Sequence, residues 1–248
     1  MHAPVQLIPP DLLLLAYRSG IFPMADDRED EEIYWVEPRQ RAILPLAQFH
    51  CSRSLARTLR RGTFRVTCNA DFGAVIDACA APRPGHPKTW ISRRIAASYR
   101  ALHMAGHAHS IECWQGDELV GGLYGVAFER VFCGESMFSR RADASKVALA
   151  YLVAALKRAR FMVSDCQFVT GHLVSLGAVE IPRERYLQLL GEAVAAGVGD
   201  AAGVGDGAAA VAGVAGDLPG AFAALLADAA AAASSPGKVI AQSLTHTS

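Results

Sequence analysis

Nowhere among the 248 residues is there an uninterrupted apolar run of the ~18 residues that a membrane-spanning helix requires, so no association with a membrane is expected. The opening residues Met1-His-Ala-Pro-Val-Gln6 lack a basic stretch followed by an apolar one, so no secretory signal is expected and the cytoplasm is the expected location. Six cysteines (51, 68, 79, 113, 133 and 166) include no Cys-x-x-Cys pair, which argues against both a zinc site and a disulfide framework. Free, mostly buried thiols are the expectation. His103, His107 and His109 lie close together, but no organised carboxylate or thiolate ligands surround them and Gly106 interrupts the segment; they read as structural, and no metal is expected. Formal net charge is zero, too little for a protein that coats a nucleic-acid duplex.

The charge that is present is uneven. Residues 1–190 carry a net +4, whereas the remainder holds Lys238 against five acids. Arg53, Arg57, Arg60 and Arg61 fall at helical spacing within Ser52–Arg61, a pattern that fits either a phosphate-facing patch or a solvated basic face. An acidic run from Asp26 to Glu32 reads as a solvated loop.

The most informative stretch runs from Val131 to Gln167. Val131-Phe-Cys-Gly-Glu-Ser-Met-Phe-Ser139 sets polar Glu135, Ser136 and Ser139 among Phe132, Met137 and Phe138, and a buried carboxylate in such a strand needs a partner. Ala144 to Leu156 has the apolar spacing of a helix, with Asp143 placed to cap it. Phe161–Phe168 reads as a short buried strand that puts Asp165 and Gln167 on one face. Upstream, Ser110–Trp114 and Leu119–Ala127 are joined by the hairpin signal Gln115-Gly-Asp-Glu118 and continue into Val131–Cys133 as a meander. Ile33–Pro38 and Arg41–Pro45 look like two strands of a small separate sheet.

These motifs together resemble the leucyl/phenylalanyl-tRNA–protein transferase family. The resemblance is carried by Phe132–Ser139, Ala144-Ser-Lys146, Asp165-Cys-Gln167 and Ser175-Leu-Gly-Ala178. It is supported by Tyr17-Arg-Ser-Gly-Ile-Phe-Pro23, Trp90-Ile-Ser-Arg93, Gly106–Glu112 and Leu119–Gly125 in the same order. It covers roughly residues 11 to 190. Met24 stands where longer members carry a second tryptophan.

The resemblance implies an α+β chain: a small N-terminal α/β domain followed by a domain similar to the acyl-CoA N-acyltransferase (GNAT) fold. The expected divisions are residues 1–47, then 48–190 for catalysis, an Ala/Gly-rich segment 191–235, and a C-terminal segment 236–248 that docks on the body. In residues 191–230, 25 of the 40 are Ala or Gly, a composition that buries little, and deleting 191–235 is expected to leave activity nearly intact.

It also implies an activity. Leu, Phe or Met would pass from the 3′ end of aminoacyl-tRNA to the N-terminal Arg or Lys of acceptor proteins, marking them for N-degron degradation, by a monomer needing no cofactor. Asp165 and Gln167 would form the catalytic pair and Glu135 would hold the substrate's polar end. Leu123, Phe132, Met137, Leu149 and Leu152 would line a side-chain pocket, with Tyr17, Trp90 and Tyr99 stacking near the terminal adenosine. Physically, glutamine stores no proton at neutral pH and can only orient the reacting groups; an aspartate can orient an amine or relay a proton.

Alternatives remain at this level. An acyl-CoA-dependent N-acetyltransferase would hold pyrophosphate on a glycine-rich turn, yet Ser139-Arg-Arg-Ala-Asp-Ala-Ser-Lys146 has no glycine and places Asp143 there. An adaptor without chemistry fits poorly with Asp165 and Gln167 beside Glu135. Asp165 can also be a buried partner of Lys146 or an arginine. Replacing it with Asn would then cost ~3–5 kcal/mol, rather than slow the chemistry with little effect on stability.

Overall fold

The computed structural model describes residues 6–82, 87–202 and 216–245. Its centre is a seven-stranded sheet, and its elements follow from the sequence patterns above. The chain opens with α1 (Pro10–Arg18), β1 (Phe22–Met24), β2 (Tyr34–Val36) and β3 (Gln40–Ile43), then α2 (Arg53–Arg61), β4 (Arg65–Cys68), α3 (Phe72–Ala80) and α4 (Arg93–Met104). The meander β5 (Ala108–Gln115), β6 (Glu118–Phe128) and β7 (Val131–Ser139) leads into α5 (Ala144–Arg158) and β8 (Val163–Gln167). The rest is helical apart from β9 (Val179–Pro182): α6 (Gly171–Val174), α7 (Arg183–Ala202), α8 (Leu218–Ala231) and α9 (Pro236–Thr245).

The strand order is β4-β5-β6-β7-β8-β3-β9, with β7–β8 the parallel pair and the other neighbours antiparallel. A parallel pair needs a crossover, and α5 supplies it. Alternation along the strands then makes two cores. Leu123 and Phe132 face one, with α2, α5, α8 and α9; Tyr124 and Cys133 face the other, with α1, α3, α4 and α7. Helix α5 is buried from Ala144 to Leu156 save Lys146, which explains its weak amphipathic contrast.

Three sequence expectations change here. Ile33–Pro38 and Arg41–Pro45 do not form one small sheet: β2 pairs with β1, whereas β3 sits between β8 and β9 in the main sheet. Two short strands adjacent in sequence can be drawn to different partners when one of them carries a group the main sheet must bury, and Arg41 is 1% exposed. Asp143 occupies the N-cap of α5 but its side chain does not cap it; at φ 65° it turns instead to Lys146, 3.3 Å away. Composition also underestimates the end of the chain. Helix α7 continues to Ala202, and α8 and α9 bury Leu218, Ala221, Phe222, Ile240 and Leu244 in the core shared with α5. Alanine-rich helices bury little per residue, but their small side chains allow close approach, and Gly237 lies so near Leu59 that a Cβ there would meet its carbonyl oxygen at 2.1 Å.

No single helix among the described residues is long and apolar enough to cross a membrane.

Candidate active site

Strands β7 and β8 pair only over Val131–Cys133 and Val163–Asp165 and then separate. At the point of separation both strands are irregular. On β7, Gly134 pairs with Gly125 and Ser136 with Tyr124, leaving Glu135 as the extra residue of a β-bulge. On β8, Gln167 adopts φ 57°, a left-handed conformation unusual for a residue with a side chain. Bulges re-aim side chains, and sparsely populated backbone conformations collect at functional sites. Here they turn Glu135 and Gln167 toward each other: Gln167 Nε2 donates to Glu135 Oε1 at 3.0 Å.

The separation opens a cleft of about 740 Å³. Its apolar end is built from Leu123, Phe132, Met137, Leu149 and Leu152, from β6, β7 and α5. The register that pairs Phe132 with Ser164 brings Ser164 into the lining as well. Gly125 is required beside it, because a Cβ there would lie 2.5 Å from the Phe132 ring and 2.4 Å from the Cys133 carbonyl oxygen. The opposite wall comes from Phe22, Met24, Trp90 and Phe168.

Below the cleft lies a dense polar arrangement. Arg41 Nε donates to Asp165 Oδ1 at 2.8 Å and Arg41 Nη2 to Oδ2 at 2.5 Å. Tyr186 OH donates to Oδ2 at 3.2 Å and the Gln167 backbone N–H to Oδ1 at 2.9 Å. The guanidinium carbon is also sandwiched between the Phe22 and Tyr186 rings, at 4.7 and 4.6 Å from their centroids. Burial, the largest single influence, pulls the Arg41 pKa down, but the charge and hydrogen bonds of Asp165, with smaller help from Tyr186 and Cys133, together outweigh it and the guanidinium stays ionised. On the other side, Tyr99 OH donates to Glu135 Oε2 at 3.1 Å, and the Tyr17 and Tyr99 hydroxyls hydrogen-bond to each other. Burial pushes Glu135 up to about 7; the hydroxyls of Tyr17 and Tyr99 and the charge of Arg41 oppose the rise, and the charge of Asp165 adds to it.

Nine of the eleven residues expected from the sequence line the cleft: Glu135, Trp90, Leu123, Phe132, Met137, Leu149, Leu152, Asp165 and Gln167. Tyr17 and Tyr99 do not. They are 1% and 0% exposed and belong to the core beneath Glu135, so neither ring face is open to stack on a base, and the stacking expectation is corrected for both. Asp165 reaches the cleft lining with no exposed side-chain surface and with both oxygens occupied, so direct contact between its carboxylate and a substrate amine is corrected too. Its partner is Arg41, not Lys146, which pairs with Asp143.

The sequence reading missed Arg41, Tyr186 and His172. Arg41 lies 124 residues from Asp165, a distance no local pattern bridges. His172 lines the cleft from α6 with its Nε2 buried and without a hydrogen-bond partner among the described residues; burial and the charge of Lys146 hold its pKa below the ordinary value. Two of the three clustered histidines are held within the fold: His103 Nδ1 hydrogen-bonds the Ala108 carbonyl oxygen at 2.7 Å, and His109 Nδ1 meets Asn69 Nδ2 at 3.0 Å. Away from the cleft, Arg53, Arg57, Arg60 and Arg61 line a second depression of about 440 Å³ with Cys51, Ala56 and Thr245.

Comparison with known proteins bears on this geometry. A family model described as "Leucyl/phenylalanyl-tRNA protein transferase" matches residues 43–191, and one described as "Leucyl/phenylalanyl-tRNA protein transferase N-terminal domain" matches residues 7–39. A protein of Novosphingobium aromaticivorans named leucyl/phenylalanyl-tRNA–protein transferase is 64% identical over 256 residues, 97% of each chain. Proteins of the same name from Zymomonas mobilis and Rhizorhabdus wittichii are 58% and 55% identical, covering 76% and 79% of this chain and 70% and 80% of their own.

Proposed function

The chain belongs to the leucyl/phenylalanyl-tRNA–protein transferase family, and from that membership we propose how its cleft carries out the family's reaction. The enzyme is an aminoacyltransferase that moves Leu, Phe or Met from aminoacyl-tRNA to the N-terminal Arg or Lys of an acceptor protein, which marks that protein for degradation. One observation carries the reading of the site: an apolar pocket ends at the point where β7 and β8 part, beside the paired side chains of Glu135 and Gln167. An aminoacyl group has this shape, with an apolar side chain on one side of its reactive carbonyl and polar groups on the other.

Leu123, Phe132, Met137, Leu149 and Leu152 enclose the transferred side chain. A pocket of this kind discriminates by only ~1–3 kcal/mol per methylene, and Met137 adapts to more than one shape, so Leu, Phe and Met are all accommodated. Trp90, half-buried in the opposite wall, stacks near the terminal adenosine. The exposed arginines of α2 hold backbone phosphates of the tRNA.

The ester is already activated, so transfer needs a neutral amine, a positioned carbonyl and a stabilised oxyanion. Gln167 orients the reacting groups: Nε2 is committed to Glu135, which leaves its carbonyl oxygen to accept from the incoming amine. Asp165 acts through Gln167, accepting the backbone N–H that fixes its left-handed conformation. The fold is of the GNAT type on this reading, supported by the meander, the crossover helix α5 and the parting of the parallel strands at the site. The chain works as a cytoplasmic monomer.

The test mixes the purified chain, Leu-tRNA and a peptide with N-terminal Arg, and measures peptide mass. A mass gain of one leucyl residue is expected; unchanged peptide, with the tRNA still charged, contradicts the reading.

A further inference from the structure

We propose that Glu135 is the general base of the reaction, taking the proton of the attacking amine, with Asp165 confined to positioning. The inference rests on the aminoacyl-transfer reading of the cleft.

A general base must offer a lone pair to the reacting atoms. Asp165 offers none: it is 0% exposed, and Arg41, Tyr186 and the Gln167 N–H occupy its two oxygens. Gln167 has no basic atom. His172 keeps its Nε2 buried. Glu135 is different. Its place as the extra residue of a bulge puts it in the lining of the cleft, partly exposed where Asp165 is not. Oε1 accepts from Gln167 Nε2 and Oε2 from Tyr99 OH, with the Tyr17 hydroxyl also stabilising the charge, and the two oxygens together carry four lone pairs, so one is left for the amine.

The groups facing Glu135 suit the role. Tyr17 on α1, Tyr99 on α4 and Tyr124 on β6 surround it, all held protonated by burial and by its charge, as is Cys133 on its own strand. The nearby cation, Arg41 on β3, is already neutralised by Asp165 on β8. Among the described residues Glu135 therefore has no counter-ion of its own, and its pKa of about 7 approaches the ~7.7–8.0 of an α-amine.

The step balances. The amine nitrogen bonds to the carbonyl carbon, giving a tetrahedral oxyanion and a cationic nitrogen. Glu135 takes a proton from that nitrogen. On collapse the bond from carbon to the ribose oxygen breaks, and the proton held by Glu135 passes to the departing oxygen. An amide and a ribose hydroxyl result, and Glu135 is a carboxylate again.

The test is the single-turnover rate of leucyl transfer to an Arg-peptide, measured from about pH 5.5 to 8.5, with Leu-tRNA affinity and melting temperature, for wild type, Glu135→Gln and Glu135→Asp. Two groups, Glu135 and the peptide amine, must be deprotonated in the wild type, so log rate should fall in acid with a slope approaching about 2. Glu135→Gln should be slower by ~10²-fold or more, with the slope reduced to about 1, from the peptide amine alone, and tRNA affinity little changed. Glu135→Asp should keep the steep limb at a displaced pH. A Glu135→Gln enzyme within a few-fold of wild type, one that keeps the steep limb, or one whose loss lies wholly in tRNA affinity overturns the proposal. The last outcome would mean that Glu135 merely holds the substrate. If the Gln variant does not fold, Glu135→Asp decides: an undisplaced acid limb overturns the role. Absence of transfer by the wild-type chain would contradict the transferase reading itself, whereas each of the other outcomes bears on Glu135 alone.

Discussion

Arg41 and Asp165 meet across 124 residues of sequence as a two-point ion pair that is 1% and 0% exposed. The pair fixes β3 against β8 and places Asp165 where it holds the Gln167 backbone. Removing one member leaves the other charge buried. Asp165→Asn should therefore lower stability by ~3–5 kcal/mol, seen as a large fall in melting temperature, in addition to slowing transfer. The joint change Arg41→Met with Asp165→Leu should destabilise by less than the sum of the two single changes. A melting temperature unaffected by Asp165→Asn would show that the buried pair contributes little.

Glu135 predicts a pH-dependent stability. Its folded pKa of about 7 lies above the ordinary value of 4.5, so the folded state binds its proton more tightly than the unfolded state. Ionisation in the folded protein is penalised, and stability from this group is lost as pH rises from about 4.5 to about 7. Glu135→Gln, which cannot ionise, should raise the melting temperature relative to wild type at pH ~8 and much less at pH ~5. Equal differences at both would indicate that the carboxylate is not penalised by burial.

Leu149 lines the apolar end of the cleft and is 5% exposed. Leu149→Trp should reduce the pocket enough to block transfer of Phe more than transfer of Leu. Comparing the two rates checks this, with circular dichroism confirming the fold. Equal losses would make Leu149 a core residue only.

The end of the chain is structural. Phe222 is 4% exposed and its ring lies 6.1 Å from that of Tyr151 on α5. Phe222→Ala should cost ~3–5 kcal/mol, read by denaturant unfolding. Joining Leu190 to Pro236 should give insoluble or poorly folded protein, since it removes Leu218 and Phe222 from the core behind the cleft. A stable, active deletion would contradict this.

Gly125 and Phe132 already show how far the sequence specifies the site. Motifs that are unusual in composition, such as Gly134-Glu-Ser136 and Asp165-Cys-Gln167, were legible because polar residues in otherwise apolar strands demand partners. The apolar pocket was legible only through the family resemblance: residue pattern puts Leu149 and Leu152 on one helix face and Phe132 and Met137 on the strand that precedes it, but does not separate a pocket wall from core. The order of meander, crossover helix and strand followed from periodicity together with the turn signal Gln115-Gly-Asp-Glu118.

Sequence by itself determined which polar residues stand among apolar ones and need partners in the stretch from Val131 to Gln167, because hydrophobic period and residue type act over a few neighbours. Tertiary structure alone decided what surrounds them. Whether Asp165 faces substrate or a cation depends on a strand placed far away in sequence, since β3 brings Arg41 to it. Whether Tyr17 and Tyr99 stack on a base or support Glu135 depends on burial between α1, α4 and the sheet. Whether an alanine-rich tail is solvent-exposed or core depends on the close approach of α8 and α9 to α5 and α2. Composition records how much apolar surface a segment has; only packing sets which surface it meets.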